Sequence, residues 1–483
     1  MNALAEARPK PGKLVFIETF GCQMNDNDSD RILGFLAPLD YSAAASPDEA
    51  DLIILNTCSV RDKAEQKVYS MLGRFKGFKG AGGAGGGIGN SGGRGGRGGS
   101  PGVILAVGGC VAQQEGERLL RRVPYLDLVF GPHNIHRLPE LLRRIERSRS
   151  GAGAGGGERV AATAFNDAIE PGEYAAEQAP AGVRANVSIM RGCDNFCAYC
   201  IVPHTRGREV SRGSLEIVTE VTRLAAAGVR EVTLLGQNVN SYGRGTGVGF
   251  PELLRRVAAV DGMERIRFVT SHPRDMSTEL IGLFGEEKKL ARHLHLPVQS
   301  GSDRVLDAMG RGYTRAAYME KVEALKALYP DMALTTDIIV GFPGETEEDF
   351  ELTCDLIKTV RYDNIFSFKY SERPGTRAAR LGGRVGAGVK ARRLRTLQDT
   401  QREITMAKNL LLVGTTREVL VEGPSKQNPA ELTGRTTCNR IVNFPGAPSL
   451  AGSAADVVVT DAFANSLRGR LPGADTERSL LCS

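Results

Sequence analysis

The sequence predicts an α/β protein in three parts. These are an N-terminal α/β domain with a parallel sheet, a central partial (β/α)6 barrel and a small C-terminal antiparallel β-barrel. Three observations predict this. Short, continuously apolar runs alternate with helical runs over residues 13–147, then again from Val183 to about Tyr370. That is the pattern of parallel strands covered on both faces. The second series has six strand-like runs, which suggests an open barrel rather than a closed eight-stranded one. After a charged helix at about 389–412 the alternation gives way to β-rich stretches with Gly and Pro turns, as in a small barrel.

The elements follow in order. "KLVFIETF" (13–20), "DLIILNTC" (51–58) and "GVILAVGGC" (102–110) read as strands. "DSDRILGFLAPL" and "DKAEQKVYSMLGRF" read as the helices between them. The barrel strands are "RANVSIM", "EVTLLG", "RIRFVTS", "HLHLPV", "ALTTDIIVG" and "NIFSFKYS". Tyr318, Val322, Leu325 and Leu328 fall at helical spacing. Thr346-x-x-Asp349 marks the start of the last barrel helix. "TREVLVEG", "ELTGRTTCNRIVNF" and "AADVVVTDAFANSLRGRLP" form the final barrel.

Two Gly-rich stretches interrupt this order, residues 77–102 and 148–162. Neither can bury a core, so both read as flexible loops or linkers. The first reads as an inert insertion, with an RGG-like nucleic-acid contact as the alternative. The expected boundaries are 13–147 for the N-terminal domain with its insertion at 77–102, and 148–178 for a flexible linker. The barrel domain is then 179–410 and the C-terminal domain 411–474.

Composition narrows the class. The 483 residues suit about three domains of roughly 150 each. A hydrophobic fraction of 41% and a charged fraction of 24% are those of an ordinary globular protein. A net charge of +6 permits a nucleic-acid partner without demanding one. Nine cysteines are too few for a disulfide scaffold, and the odd count leaves one over. Reduced thiols follow, with metal binding or catalysis for the clustered ones. "MNALAEARPK" has no apolar core of a secretory signal. No run approaches the ~18 apolar residues of a membrane span. A cytoplasmic location with no membrane partner is expected.

Cys193, Cys197 and Cys200 stand in "RGCDNFCAYC" with C-x3-C-x2-C spacing, just after the first barrel strand. That places them at the carboxyl end of the sheet, where such folds carry active sites. A structural zinc site wants four ligands, usually from two separated pairs, and there is no second pair here. His204 lies four residues on, behind Pro203, without a partner. Three thiolates on a [4Fe–4S] cluster would hold three irons and leave the fourth open.

This loop resembles that of the radical S-adenosylmethionine (radical SAM) enzymes, in which the open iron binds SAM. Tyr199 matches the aromatic residue often found before the last ligand. The resemblance implies a catalytic role for Cys193, Cys197 and Cys200. It implies SAM contacts at Gly236, Gln237 and Asn238 in "LLGQNVNSYG" and at Ser271 in "TSHP". It adds Gln299 in "HLPVQSGS" and Gly341 in "DIIVGFPGET".

Cys22, Cys58 and Cys110 each follow an apolar strand of the N-terminal domain. All strands of a parallel sheet end on one edge, so the three can converge. Buried thiols are the plain alternative, but core cysteines should scatter along strands. The whole layout resembles the radical SAM methylthiotransferases, which add a TRAM domain, an OB-like RNA-binding module, matched here by "LTGRTTCNRIVNF".

That family implies two [4Fe–4S] clusters, one binding SAM and one auxiliary, the latter held by Cys22, Cys58 and Cys110. It also implies S-adenosylmethionine, a reducing electron donor and an unnamed sulfur donor. The stretches "ETFGCQMNDNDSD", "CIVPHTRGREVSR" and "SFKYSERPGT" resemble the branch acting on dimethylallyl-adenosine beside the tRNA anticodon. A branch acting on threonylcarbamoyl-adenosine is the alternative, and a non-catalytic Fe–S RNA-binding protein a further one. The implied partner is a tRNA anticodon stem-loop, bound by a monomer. Arg206, Arg208 and Arg212 are candidates for SAM carboxylate or tRNA phosphate contacts, and Arg373 for the substrate pocket. Cys354, Cys438 and Cys482 are expected to be inert.

Overall fold

The computed structural model describes residues 12–59, 64–79, 102–151, 157–170, 172–174, 182–245 and 247–473. Most of the first Gly-rich stretch and Cys482 lie outside the described residues. The chain forms two compact units. The first holds the described residues up to 174 together with His204–Gly207, and the second holds the rest.

The first unit is built on six parallel strands: β1 (Lys13–Thr19), β2 (Tyr41–Ala43), β3 (Leu52–Thr57), β4 (Ile104–Gly109), β5 (Leu128–Phe130) and β6 (Val160–Ala162). Their order is β2-β1-β3-β4-β5-β6. Every residue of β3 and β4 is buried, because helices cover both faces of the sheet. Leu52, Ile54, Ile104 and Ala106 face one core, with Ile32 and Leu36 of the helix Gln23–Leu36. Ile53, Leu55, Leu105 and Val107 face the other, with Val68 and Leu72 of the helix Ala64–Phe75. Each such buried Leu or Ile contributes about 1.5–3 kcal/mol.

Three strands here differ from expectation. β2, β5 and β6 have three residues each, too few to show a period. The stretch 148–178, read as a linker, instead finishes the helix Leu138–Gly151 and supplies β6. Val160 and Ala162 are buried there against β5, and the Gly-rich run just before them masks the signal.

The second unit carries β7 (Arg184–Ser188), β8 (Met190–Arg191), β9 (Val210–Ser211), β10 (Glu231–Leu235), β11 (Arg265–Phe268), β12 (His293–His295), β13 (Ala333–Val340) and β14 (Asn364–Lys369). β7, β10 and β11 form one parallel sheet, and β12, β13 and β14 another. A parallel bridge runs from Ile266 of β11 to Leu290, just before β12, so six strands follow in sequence order as an open barrel. β8 and β9 pair antiparallel and bracket the cysteine loop. Tyr318, Val322 and Leu325 point into the core, while Leu328, the last residue of that helix, is partly exposed. Thr346 and Asp349 form the expected capping box.

The chain continues into β15 (Thr416–Pro424), β16 (Glu431–Thr436), β17 (Ile441–Pro445), β18 (Ala454–Ala462) and β19 (Leu467–Arg470). They close a barrel around Val419, Val421, Phe444 and Val457. All pairs are antiparallel except β17 with β19. The end of β16 and the turn after it dock on the larger barrel. Arg265 donates to the Arg435 carbonyl at 2.8 Å, and Arg267 to the Thr436 and Thr437 carbonyls at 2.8 and 3.0 Å. Glu231, fully buried, lies 3.5 and 3.0 Å from these two arginines. No helix among the described residues is long and apolar enough to cross a membrane.

Candidate functional site

In the first unit the strand ends are in register. Thr19 lies opposite Asn56, Asn56 opposite Gly108 and Thr57 opposite Gly109. Cys22, Cys58 and Cys110 follow within three residues of these rows, so they meet at one edge. β1 and β3 are also where the strand order reverses, the place where open α/β sheets bind ligands. Asn25 and Asn56 tie the loops behind the cysteines. Asn25 Nδ2 donates to Asn56 Oδ1 and the Thr57 carbonyl, both at 3.2 Å, and Asn56 Nδ2 to the Asn25 carbonyl at 2.8 Å. A side chain at Gly21 would place its Cβ 2.7 Å from Cys58 Cβ, and one at Gly109 (φ +89°) 2.3 Å from the Thr57 carbonyl.

The thiols differ in setting. Cys58 and Cys110 are buried and Cys22 is exposed. A hydrogen bond with Cys58 pulls the Cys22 thiol down, and the charge of Arg206 adds to this. Burial pushes Cys110 up, with Arg206 opposing. Arg206 is therefore the cation of this site. It was expected at a SAM carboxylate or tRNA phosphate. It is instead buried, with its guanidinium 2.7 Å from Asp28 Oδ2.

In the second unit the other three cysteines sit on a loop held at several points. The Ala198 amide donates to the Met309 carbonyl at 2.7 Å, and its carbonyl accepts from Ala378 N at 2.8 Å. Gly192 N donates to Gln237 Oε1 at 2.6 Å. Burial pushes Cys193 up to about 11 and Cys200 up to about 12, so both are neutral thiols until metal displaces their protons. Arg311, buried, donates to Cys197 Sγ at 3.5 Å and to the Pro297 carbonyl at 2.6 Å. His272 accepts from Arg274 N at Nδ1, which leaves its proton on Nε2, 3.9 Å from Cys197 Sγ. Burial and the charges of Arg311 and Arg274 push His272 down to about 2, so it stays neutral. Arg311 lay outside every motif in the sequence, and His272 sat unselected beside Ser271.

The expected SAM-contacting residues line the strand ends beside this loop. Gln237 Nε2, Asn238 Oδ1 and Ser271 Oγ are buried polar atoms without a hydrogen-bond partner. Such atoms are costly unless something binds them. Phe196, Thr270 and Gln299 have φ of +46°, +67° and +75°, and left-handed non-glycine residues gather at functional sites. Asp275 braces the group, accepting from Asn238 Nδ2 at 2.7 Å and Arg244 Nη2 at 2.9 Å. Gly236 and Gly341 have packing reasons of their own. A Cβ would meet Met190 Cγ at 2.5 Å in the first and Lys390 Cγ at 2.2 Å in the second.

The other arginines divide. Arg208 is largely exposed, grips Asp194 at 2.7 and 3.1 Å and lies over the Phe196 ring. Arg212 is buried, donating to the Ser188 carbonyl at 2.5 Å and pairing with Glu220 at 2.8 Å, so its role is structural. Arg373 sits half-buried in the turn after β14, where its carbonyl accepts from Thr376. Cys354 packs beside the barrel core, and Cys438 Sγ donates to the Asp331 carbonyl at 3.4 Å.

Three soft sulfur donors in each set fit an iron–sulfur cluster. Among the described residues no three His, Cys, Asp or Glu side chains are gathered as around a single ion. A cluster instead spreads its three ligands over three irons.

Comparison with known proteins gives the lineage. Residues 187–357 match the Radical SAM superfamily, 14–131 match Uncharacterized protein family UPF0004, and 411–471 match the TRAM domain. The tRNA-2-methylthio-N(6)-dimethylallyladenosine synthase of Geobacter metallireducens is 53% identical over 462 residues, covering 95% of this chain and 98% of its own. The chain belongs to that synthase family. Its relative of the same name from Myxococcus xanthus is 50% identical over 467 residues, covering 95% and 94%. A solved radical SAM methyltransferase, TsrM from Kitasatospora setae, shares the fold with a TM-score of 0.51 at 16% identity, covering 76% and 77%. The synthase family is one of radical SAM methylthiotransferases, and radical SAM membership implies a [4Fe–4S] cluster and S-adenosylmethionine.

Proposed function

We propose that the protein transfers a methylthio group to carbon 2 of N6-dimethylallyl-adenosine at position 37 of tRNA, beside the anticodon. The observation that carries this reading is the pair of three-cysteine sets, one gathered at the carboxyl ends of three parallel strands and one on the single loop between β8 and β9, in a chain of this synthase family. Cys193, Cys197 and Cys200 would hold the cluster that binds SAM. Cys22, Cys58 and Cys110 would hold an auxiliary cluster. When bound, these groups supply a radical able to take hydrogen from an unactivated ring carbon, a sulfur atom and a methyl group.

The chain's own residues have separable tasks. Arg311 and the Nε2–H of His272 donate to Cys197 sulfur, and hydrogen bonds to ligand sulfur tune a cluster's potential. Gln237, Asn238 and Ser271 present unpaired polar atoms that suit the amino acid and ribose of SAM. Asp275 fixes Asn238 while Arg244 balances its charge. Arg206 offsets the negative charge of the first cysteine set. Arg208 remains a candidate for tRNA phosphate and Arg373 for the substrate pocket. The RNA partner is the anticodon stem-loop, and a reducing electron donor is required.

The test is nucleoside analysis of tRNA from a deletion strain, with and without the gene restored. The 2-methylthio derivative of dimethylallyl-adenosine should vanish and return. Loss of the threonylcarbamoyl derivative, with the dimethylallyl one intact, would sink the reading.

A further inference from the structure

The open edge of the larger barrel carries an unexpected surface. β14 exposes Phe366 and Phe368, at 49% and 43%. Two residues apart in a strand, they share one face. With the helix Ala387–Leu410 and the β18–β19 turn they wall a cleft of about 350 Å³. That is the small end of the roughly 300–1,000 Å³ of small-ligand sites, a fit for one nucleoside.

The polar lining is equally specific. Gln401 is 3% exposed and lines the cleft. Its Nε2 donates to the Tyr362 carbonyl at 2.8 Å and to Thr405 Oγ1 at 2.9 Å. Its Oε1 is buried with no donor among the described residues, an acceptor left unsatisfied at the cleft wall. Gln398, exposed, and Asn465 add further amide groups at the rim. Arg402 also lines the cleft, and its partner among the described residues is Asp399, in an exposed pair at 3.1 Å. Arg395, exposed, precedes it by two helical turns on the same stripe.

Aromatic faces, amide edges and a rim of arginine are the equipment for an unstacked RNA base. We propose that this cleft binds one unpaired nucleobase of the tRNA anticodon loop, other than the adenosine that is modified. The proposal rests on the tRNA reading above and names a second contact for it. Phe368 would stack on the base, Gln401 and Gln398 would meet its edge, and Arg402 would face its phosphate.

The test is binding of a fluorescent anticodon stem-loop RNA to the full-length reconstituted protein, followed by anisotropy. Phe368→Ala should weaken binding by about 5- to 150-fold, the range that base–aromatic stacking supplies. Gln398→Ala should weaken it less. Both side chains are exposed, and unchanged iron content and melting temperature would show that the variants fold. Abasic substitution is then made at each loop position in turn. One position should cost wild type the same factor and cost Phe368→Ala nothing further. Affinity unchanged within about twofold in both variants, or additive losses at every position, overturns the proposal. If wild type binds and modifies the RNA while the variants match it, the cleft proposal alone falls. If wild type does not bind the stem-loop, the tRNA reading falls with it.

Discussion

Arg206 and Asp28 make a buried pair whose removal has a calculable cost. Their side chains are 6% and 1% exposed, with Nη2 2.7 Å from Oδ2. Arg206→Gln would leave the Asp28 carboxylate with Arg31 alone, 3.3 Å away. Stripping a buried charge of its partner costs about 3–5 kcal/mol. Arg31 retains part of the compensation, so the loss should fall near the low end, about 3 kcal/mol. The assay is urea unfolding of the reduced, metal-free chain, with Arg206→Gln, Asp28→Asn and the double variant. Neighbours sharing one ion pair are not additive, so the double variant should lose less than the sum of the singles, by at least about 1 kcal/mol. A surface arginine that meets only RNA would change stability by no more than about 0.5 kcal/mol. That result, together with weaker RNA binding, would refute the reasoning and restore Arg206 to the phosphate contacts expected from the sequence.

Two further outcomes are expected. In anaerobic reconstitution, Cys22→Ala and Cys193→Ala should each remove about four irons and four sulfides of about eight. Iron and sulfide assays check this, and full iron retention in Cys22→Ala would eliminate the auxiliary cluster. Asp349 is the third position of its helix's capping box. Burial would raise its carboxyl, but Arg304, Ser302 at 2.6 Å and Thr346 N at 2.8 Å outweigh this and hold it down to about 2. An ordinary Asp titrates near 3.9. The stabilisation is therefore complete above about pH 4 and is lost as pH falls through about 2. Urea midpoints across that window should slope in wild type and flatten in Asp349→Asn; equal slopes would contradict the assignment.

The six cysteines were legible because their placement is a local matter. An apolar run followed by Cys marks a strand end, and in a parallel sheet strand ends share an edge. The order of the three parts was legible for the same reason, since each carries its own hydrophobic period. β6 was not, because three residues at a sheet edge have no period to show. The cleft beside β14 was invisible too, since its walls come from a strand, a helix and a turn about a hundred residues apart in sequence.

The three arginines after the cysteine loop show the division most clearly. In sequence Arg206, Arg208 and Arg212 are equivalent cations within one short stretch. Tertiary structure gives the first to Asp28, 178 residues away, the second to Asp194 on the cysteine loop and the third to Glu220 on the helix Ser214–Ala226. It likewise brings Arg311 to Cys197 across 114 residues. The sequence by itself determined which thiols could serve as ligands, because ligand type and strand-end position are written locally. Only the fold decided which charges surround them, because a buried ion pair forms wherever packing brings a carboxylate within reach, and no local pattern records that distance.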